Sequence, residues 1–144
     1  MSNHVGVNIT KLICEAVGCR YLNHAAFHIV RVSGESYTIY STHGSAGARL
    51  PWTKIKSAID LFRSAEAEIV LMGHTHGLDA MTQLFQVIDK KRKKLDYFKR
   101  HAVLTGSYLR FSGSYAEQKN LPPVPLGSPI ITLYGDHHEI RVSI

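Results

Sequence analysis

The chain has 144 residues, 44% of them hydrophobic and 19% charged, a balance that fits one compact domain (1–144) with a sizeable core and excludes a disordered segment. Seventeen basic against eleven acidic side chains give a formal charge of +6, which favours anionic partners such as nucleotides or nucleic acid. No run of about 18 apolar residues argues for a membrane span. The opening MSNHVGVNITK lacks the basic and apolar regions of a signal peptide, so a cytoplasmic protein is expected.

NITKLICEAVG (8–18) reads as a short helix, with Asn8 as its N-cap, Ile9, Leu12, Ile13 and Ala16 as an apolar stripe, and Gly18 as its stop. Cys14 and Cys19, in CEAVGC (14–19), are too few for a disulfide framework and are expected to be reduced, largely buried thiols. AAFHIVRVSGESYTIYSTHG (25–44) reads as a β-hairpin turning at Ser33-Gly34, in which His28 faces solvent or a polar neighbour. A Gly/Ala/Ser loop (43–50) leads to a helix, PWTKIKSAIDLFRSAEA (51–67), opened by Pro51. Ile55, Ala58, Ile59 and Phe62 recur along it at helical spacing, and Trp52 is expected to pack.

EIVLMG (68–73) is short, continuous and apolar, the pattern of a strand covered on both faces. Further strands are expected at TQLFQVID (82–89), HAVLTGSYLRF (101–111) and PIITLYG (129–135), the last pairing with EIRVSI (139–144) across GDHH. Asp60 reads as a helix-surface residue and Asp79 as a loop residue. The basic run DKKRKKLDYFKR (89–100) reads as a solvated helix face or a hairpin loop. NLPPVPLGSP (120–129) reads as a stiff surface connection.

The histidines carry the chemical signal. His43 follows the strand YTIYST and opens a glycine-rich loop; His74 and His76 follow EIVLM in the same manner. If the two strands are neighbours in one sheet, the three imidazoles emerge at one carboxyl edge, where open α/β sheets place their sites. On an extended chain a spacing of two puts His74 and His76 on one side. Imidazole suits zinc, manganese, iron or nickel, and the small neighbours Gly73, Thr75 and Gly77 allow close approach.

YTIYSTHGSAGA followed by EIVLMGHTHG resembles the C-terminal half of the calcineurin-like metallophosphoesterase family, whose last two signature blocks are a lone His-Gly and G-H-x-H. The likeness runs from the first helix to the final hairpin and includes TGSYLR (105–110). It implies half of an α/β/β/α sandwich, mainly sheet with one or two covering helices. It also implies metal ligation: His43 and His74 on one divalent ion of a two-metal site, His76 on the other. The activity implied is hydrolysis of a phosphomonoester or phosphodiester, with the ions positioning phosphate and activating water.

The family's earlier blocks, D-x-H, G-D-x-x-D and G-N-H-[DE], do not follow any strand here. Asp136-x-His138 lies in the expected turn of the last hairpin and reads as a polar β-turn. Asn3-His4 lacks both the flanking glycine and the acid, and Asn23-His24 sits between helix and strand. The chain therefore reads as a half-enzyme, inactive alone, its two-metal site formed only with the missing half. Its partners would be a phosphoester substrate, possibly a nucleotide or nucleic acid, together with a second copy or a separate N-terminal half; no membrane is involved. The alternatives are a non-catalytic metal-binding or subunit-interaction domain, and a nucleic-acid module using Lys90, Lys91, Arg92, Lys93 and Lys94. Ser107 and Arg110 in TGSYLR are read as packing or surface residues before phosphate contacts.

Overall fold

The computed structural model describes residues 8–45, 50–120 and 122–144, so Asn3 and His4 lie outside it. Asn8 caps the first helix, α1 (Ile9–Val17), by accepting the Lys11 amide at 3.0 Å, and Gly18 closes it at φ 72°. The expected apolar stripe forms but covers nothing among the described residues: Ile9, Leu12, Ile13 and Val17 are all exposed. For the same reason the cysteines are not the buried thiols expected. Cys14 is half-buried and Cys19 exposed, and both are free.

β1 (Ala25–Val32) and β2 (Glu35–Thr42) form the antiparallel hairpin, turning through Ser33 at φ 52°. Pro51 opens α2 (Pro51–Asp60), which ends before the expected 67. A 3-10 turn, Leu61–Arg63, follows it, and the Ser64 and Ala65 amides both fold back onto the Leu61 carbonyl. This tightening swings Phe62 into the core and delivers the chain to β3 (Ile69–Met72). Trp52, expected to pack, is 61% exposed on the outer side of α2.

β4 (Leu78–Asp89) and β5 (Lys94–Thr105) are both longer at their paired ends than expected. They pair without a break from Leu78–Thr105 to Asp89–Lys94, so Asp79 is a strand residue and KLDYFKR, part of the basic run, is strand as well. The ladder tolerates these charges because its outer end faces solvent. The Asp89 carboxylate turns the chain there by accepting the Lys91 and Arg92 amides at 2.9 and 3.0 Å. After Thr105 the chain leaves the sheet, so residues 106–111 are not strand. A short helix, α3 (Tyr115–Gln118), which the sequence reading lacked, precedes β6 (Ile130–Leu133) and β7 (Ile140–Ser143).

The result is a mixed α/β, mainly sheet architecture. One sheet has the order β1-β2-β3-β5-β4, with β2, β3 and β5 parallel and the two edge strands antiparallel; β6 and β7 form a separate two-stranded sheet. α2 and the turn after it cover one face of the larger sheet, packing Ile55, Ala58 and Phe62 on Val70, Met72, Ala102 and Leu104. Arg100 seals the end of this layer, its guanidinium 4.8 Å from the Phe85 ring centre and donating to the Phe62 carbonyl at 3.2 Å.

Tyr37, Ile69 and Val103 point to the opposite face and are fully buried. There the Tyr37 hydroxyl donates to the Tyr134 carbonyl and accepts the Glu139 amide at 3.2 Å, which fixes the β6–β7 hairpin to the sheet. Farther along β4 and β5 the same face is bare: Leu84, Ile88, Leu95 and Tyr97 are all exposed. No described helix is long and apolar enough to cross a membrane.

Ile55 is 2% exposed and joins α2 to the sheet. Ile55→Ala is expected to lower unfolding stability by about 2–5 kcal/mol in a denaturant titration. A loss below about 1 kcal/mol would mean that α2 does not hold the sheet in the way described.

Candidate metal-binding edge

Because β2, β3 and β5 are parallel, their carboxyl ends share one edge of the sheet. His43 directly follows β2, and its amide donates to the His24 carbonyl at 2.9 Å, continuing the β1–β2 register by one pair. His74 and His76 follow β3, and Ser107 and Arg110 follow β5. The edge thus gathers the three histidines. The His43 and His74 rings lie 4.5 Å apart centre to centre at 40°, and the His74 and His76 rings 6.3 Å apart at 90°. His43 and His74 are exposed and His76 is half-buried.

The chain between the paired histidines is not the extended segment expected. His74 and His76 both have left-handed backbone, at φ 62° and 52°, on either side of the buried Thr75. The Thr75 amide closes a tight turn on the Gly73 carbonyl at 2.7 Å. Left-handed backbone costs an L-residue roughly 1–2 kcal/mol, which glycine escapes. Glycine stands on both sides of this loop, and histidine, with Asn and Asp, is among the residues that enter the left-handed region more readily than most; Asn23, Ser33, Lys93 and Asn120 share it elsewhere in the chain. Close approach adds a second constraint: a Cβ on Gly44, at φ 77°, would come within 2.8 Å of the Gly73 carbonyl oxygen. Gly44 is thus what lets the His43 loop lie against the His74 loop.

A cleft of about 340 Å³ opens beside His43, with Leu22, Asn23, His24, Ser41 and Thr105 among its lining residues. The Asn23-His24 pair, set aside in the sequence as a connection between helix and strand, therefore borders the histidine edge. The hairpin register was the available signal: with Ala25 opposite Thr42, the residue before Ala25 must lie opposite His43. Ser107 is occupied within its own loop, where its hydroxyl accepts the Leu109 amide at 3.1 Å, and Arg110 is exposed.

Other polar residues singled out in the sequence lie elsewhere. His28 bonds Ser41 at 2.6 Å within the β1–β2 hairpin, and Asp60 pairs with Lys56 at 2.6 Å on the surface of α2. Asp136 and His138 sit in the β6–β7 turn, at the sheet's other edge beside Glu35 and Glu68. Residues 90–94 form the far tip of the β4–β5 hairpin. With β4 rising about 3.4 Å per residue, that tip is on the order of 35 Å from the histidines, too far for its lysines to touch a group bound there. His101 is a satisfied core histidine, 5% exposed and bonded through Nδ1 to the Thr82 hydroxyl at 2.9 Å. Burial, reinforced by Lys99 and opposed by Glu68, pushes its pKa down.

The donor set fits a divalent ion only in part. His43 and His74 are near enough to reach one cation, and exposed imidazoles are competent borderline ligands. Among the described residues, however, no three His, Cys, Asp or Glu side chains are grouped to hold a metal ion. Comparison with protein-family models, with curated proteins and with solved structures gives no match.

The strained backbone generates a test. His74→Gly is expected to leave unfolding stability unchanged or to raise it by up to about 1 kcal/mol, since relief of the left-handed strain offsets the entropy glycine adds to the unfolded chain. A loss above about 1 kcal/mol in denaturant would show that this imidazole is held for packing and not for ligation.

Proposed function

We propose that this chain is the histidine-bearing half of a metal-dependent phosphoester hydrolase of the calcineurin-like metallophosphoesterase type. The observation that carries the reading is the approach of His43 and His74 to 4.5 Å from the ends of two adjacent parallel strands. His-Gly after β2 and G-H-x-H after β3 agree with the family's last two blocks, and two left-handed histidines agree with a loop selected for ligation over backbone comfort. The layers are consistent as well. A helix covers one face of a mixed sheet, and a two-stranded fragment lies on the other, as half of an α/β/β/α sandwich would require.

In this reading His43 and His74 hold one divalent ion, of manganese, iron, zinc or nickel, and His76 contributes to a second. Such ions supply Lewis-acid polarisation of the phosphoryl group and activation of water. What this chain does is narrower. β2 and β3 fix the separation of the imidazoles, the Gly73 and Gly44 contacts hold the two loops together, and the open cleft beside His43 leaves room for a phosphoester. Carboxylates to bridge the ions and balance their charge would come from a segment or partner outside these 144 residues. Purified 1–144 with added manganese is therefore expected to show no hydrolysis of an aryl phosphate above background. Robust turnover that His74→Ala abolishes would overturn the half-enzyme reading.

A subunit-interaction role is favoured by a separate observation. The stripe of α1 and the Leu84, Ile88, Leu95 and Tyr97 face of the β4–β5 hairpin are apolar and uncovered. Single exposed apolar residues are ordinary, but a contiguous set on one strand pair is a contact surface. We expect the isolated chain to self-associate at micromolar concentration, burying about 1,600 Å² in a two-fold pairing, unless its complementary half is present. Ile88→Lys should shift sedimentation toward the monomer. A wild-type chain that sediments as a monomer at that concentration would remove this role. Nucleic-acid contact through Lys90–Lys94 would be a remote anchoring interaction, because the hairpin tip and the histidines lie at opposite ends of β4.

A further inference from the structure

The amino edge of the same sheet carries a second cluster, independent of the histidine edge. We propose that the turn of the β6–β7 hairpin is a proton-dependent latch, in which a doubly protonated His138 fastens the hairpin to the five-stranded sheet by bonding Glu35 and Glu68 together, and loss of a ring proton frees it.

Geometry requires the charged form. His138 Nδ1 lies 2.9 Å from a Glu35 oxygen, and Nε2 makes a short bond to Glu68. Ionised carboxylates only accept, so both ring nitrogens must donate, and only imidazolium has two N–H groups. A neutral ring would turn one lone pair toward a carboxylate and convert one of the two bonds into a repulsion. Neither nitrogen is left over for a metal ion. The ring is also stacked on Tyr37 at 4.5 Å and 16°, so it cannot turn away without losing that contact.

Glu68 is itself held in place, its other oxygen accepting the Thr38 amide at 2.8 Å and the Thr38 hydroxyl at 3.0 Å. The bonds therefore tie three separate parts of the chain: the start of β2, the residue before β3, and the last turn. Next to His138, His137 is bonded through Nδ1 to Asp136 at 2.8 Å and through Nε2 to Glu139 at 3.0 Å, so it stiffens the turn without reaching the sheet. The other groups around the latch are Tyr37 of β2, His101 and Lys99 of β5, and Arg141 of β7, which is 3.7 Å from Glu139. Burial and Lys99 lower the His101 pKa against the opposing pull of Glu68, which disfavours a second charged imidazole beside the latch.

The titration directions agree. The bond to Glu68, partly opposed by burial and reinforced by Glu35, raises the His138 pKa above the usual imidazole value. Partial burial pushes Glu68 up, but the Thr38 amide, His138 and the Thr38 hydroxyl together hold it below the usual carboxylate range. The His138 contribution is thus complete below the ordinary imidazole pKa and is lost as pH rises through the raised one. The Glu68 contribution is lost only as pH falls through its lowered value. The latch is closed below the ordinary imidazole pKa and opens as pH rises through the raised one. Above that point the turn keeps its bonds to the Tyr37 hydroxyl but loses the His138 bridge to Glu35 and Glu68.

Amide hydrogen exchange of the whole chain, corrected for the intrinsic pH dependence, tests the latch at pH 6, 7.5 and 9. The β6–β7 amides should lose protection relative to β3 amides as pH rises across this range, because the imidazolium bridge is lost. In His138→Gln the hairpin should be less protected at pH 6 and show no such pH dependence. Constant hairpin protection in the unaltered protein, or the same fall in His138→Gln, would overturn the proposal. If that variant does not fold, the His138 ring titration in the unaltered protein decides: a midpoint above about 6.5 supports the latch, and one at or below it removes it.

Discussion

The parallel alignment of β2, β3 and β5 is the constraint on which the other features depend. Parallel neighbours cannot be joined by a tight turn; the chain must cross over, and here it does so through α2 between β2 and β3. The crossover is stable because Ile55, Ala58 and Phe62 bury themselves on Val70 and Ala102, so the packing that covers the sheet also fixes its direction. Once the direction is set, the carboxyl ends of β2, β3 and β5 fall on one edge of the sheet and their amino ends toward the other. The meeting of His43 with His74 and the meeting of Glu35 with Glu68 are two consequences of one topology.

Those edges use the same side chain for opposite purposes. At the amino edge, carboxylates surround His137 and His138, and both ring nitrogens of each are occupied. At the carboxyl edge, His43 and His74 face each other at 4.5 Å with no carboxylate bonded to either among the described residues. His101, buried in β5 beside the amino edge, is bonded by the Thr82 hydroxyl and has its pKa lowered by burial. The sheet thus separates imidazoles bonded to carboxylates at one edge from imidazoles without a described carboxylate partner at the other.

Much of this order was legible in the sequence where a local rule decides the outcome. Asn8 and Gly18 bounded α1, Ser33-Gly34 turned the first hairpin, and the apolar run before GHTHG marked β3 with its histidines at the exit. Local rules failed where distant contacts decide. Lys94–Arg100 reads as a charged surface run, yet pairing with β4 makes it strand. Asp136-x-His138 reads as a polar turn because its partners lie 70 and 103 residues away. His24 was hidden for a related reason, since only strand register puts it opposite His43. The backbone of GHTHG was misjudged as extended because spacing carries no information about the sign of φ; the left-handed pair emerges only when the Gly73 carbonyl takes the Thr75 amide.

The structure also carries costs that its own described contacts do not offset, and these are informative together. A nine-residue helix is marginal in water without a packed face, and α1 buries none of its residues. The outer β4–β5 face leaves Leu84, Ile88, Leu95 and Tyr97 in solvent. His74 and His76 hold left-handed backbone, and no described carboxylate is bonded to either. The first two are deficits of apolar cover and the third is a deficit of negative charge. Under the proposed function one partner would remedy all three, if it is large enough to cover the bare face toward the β4–β5 tip and also to carry acidic side chains to the histidine edge at the other end of β4. Association would then be driven by apolar burial, which is non-directional, while the preset imidazoles impose register on it. Strain at the histidines is tolerable in that arrangement because ligation in the assembled site, and not packing within this chain, is what fixes them.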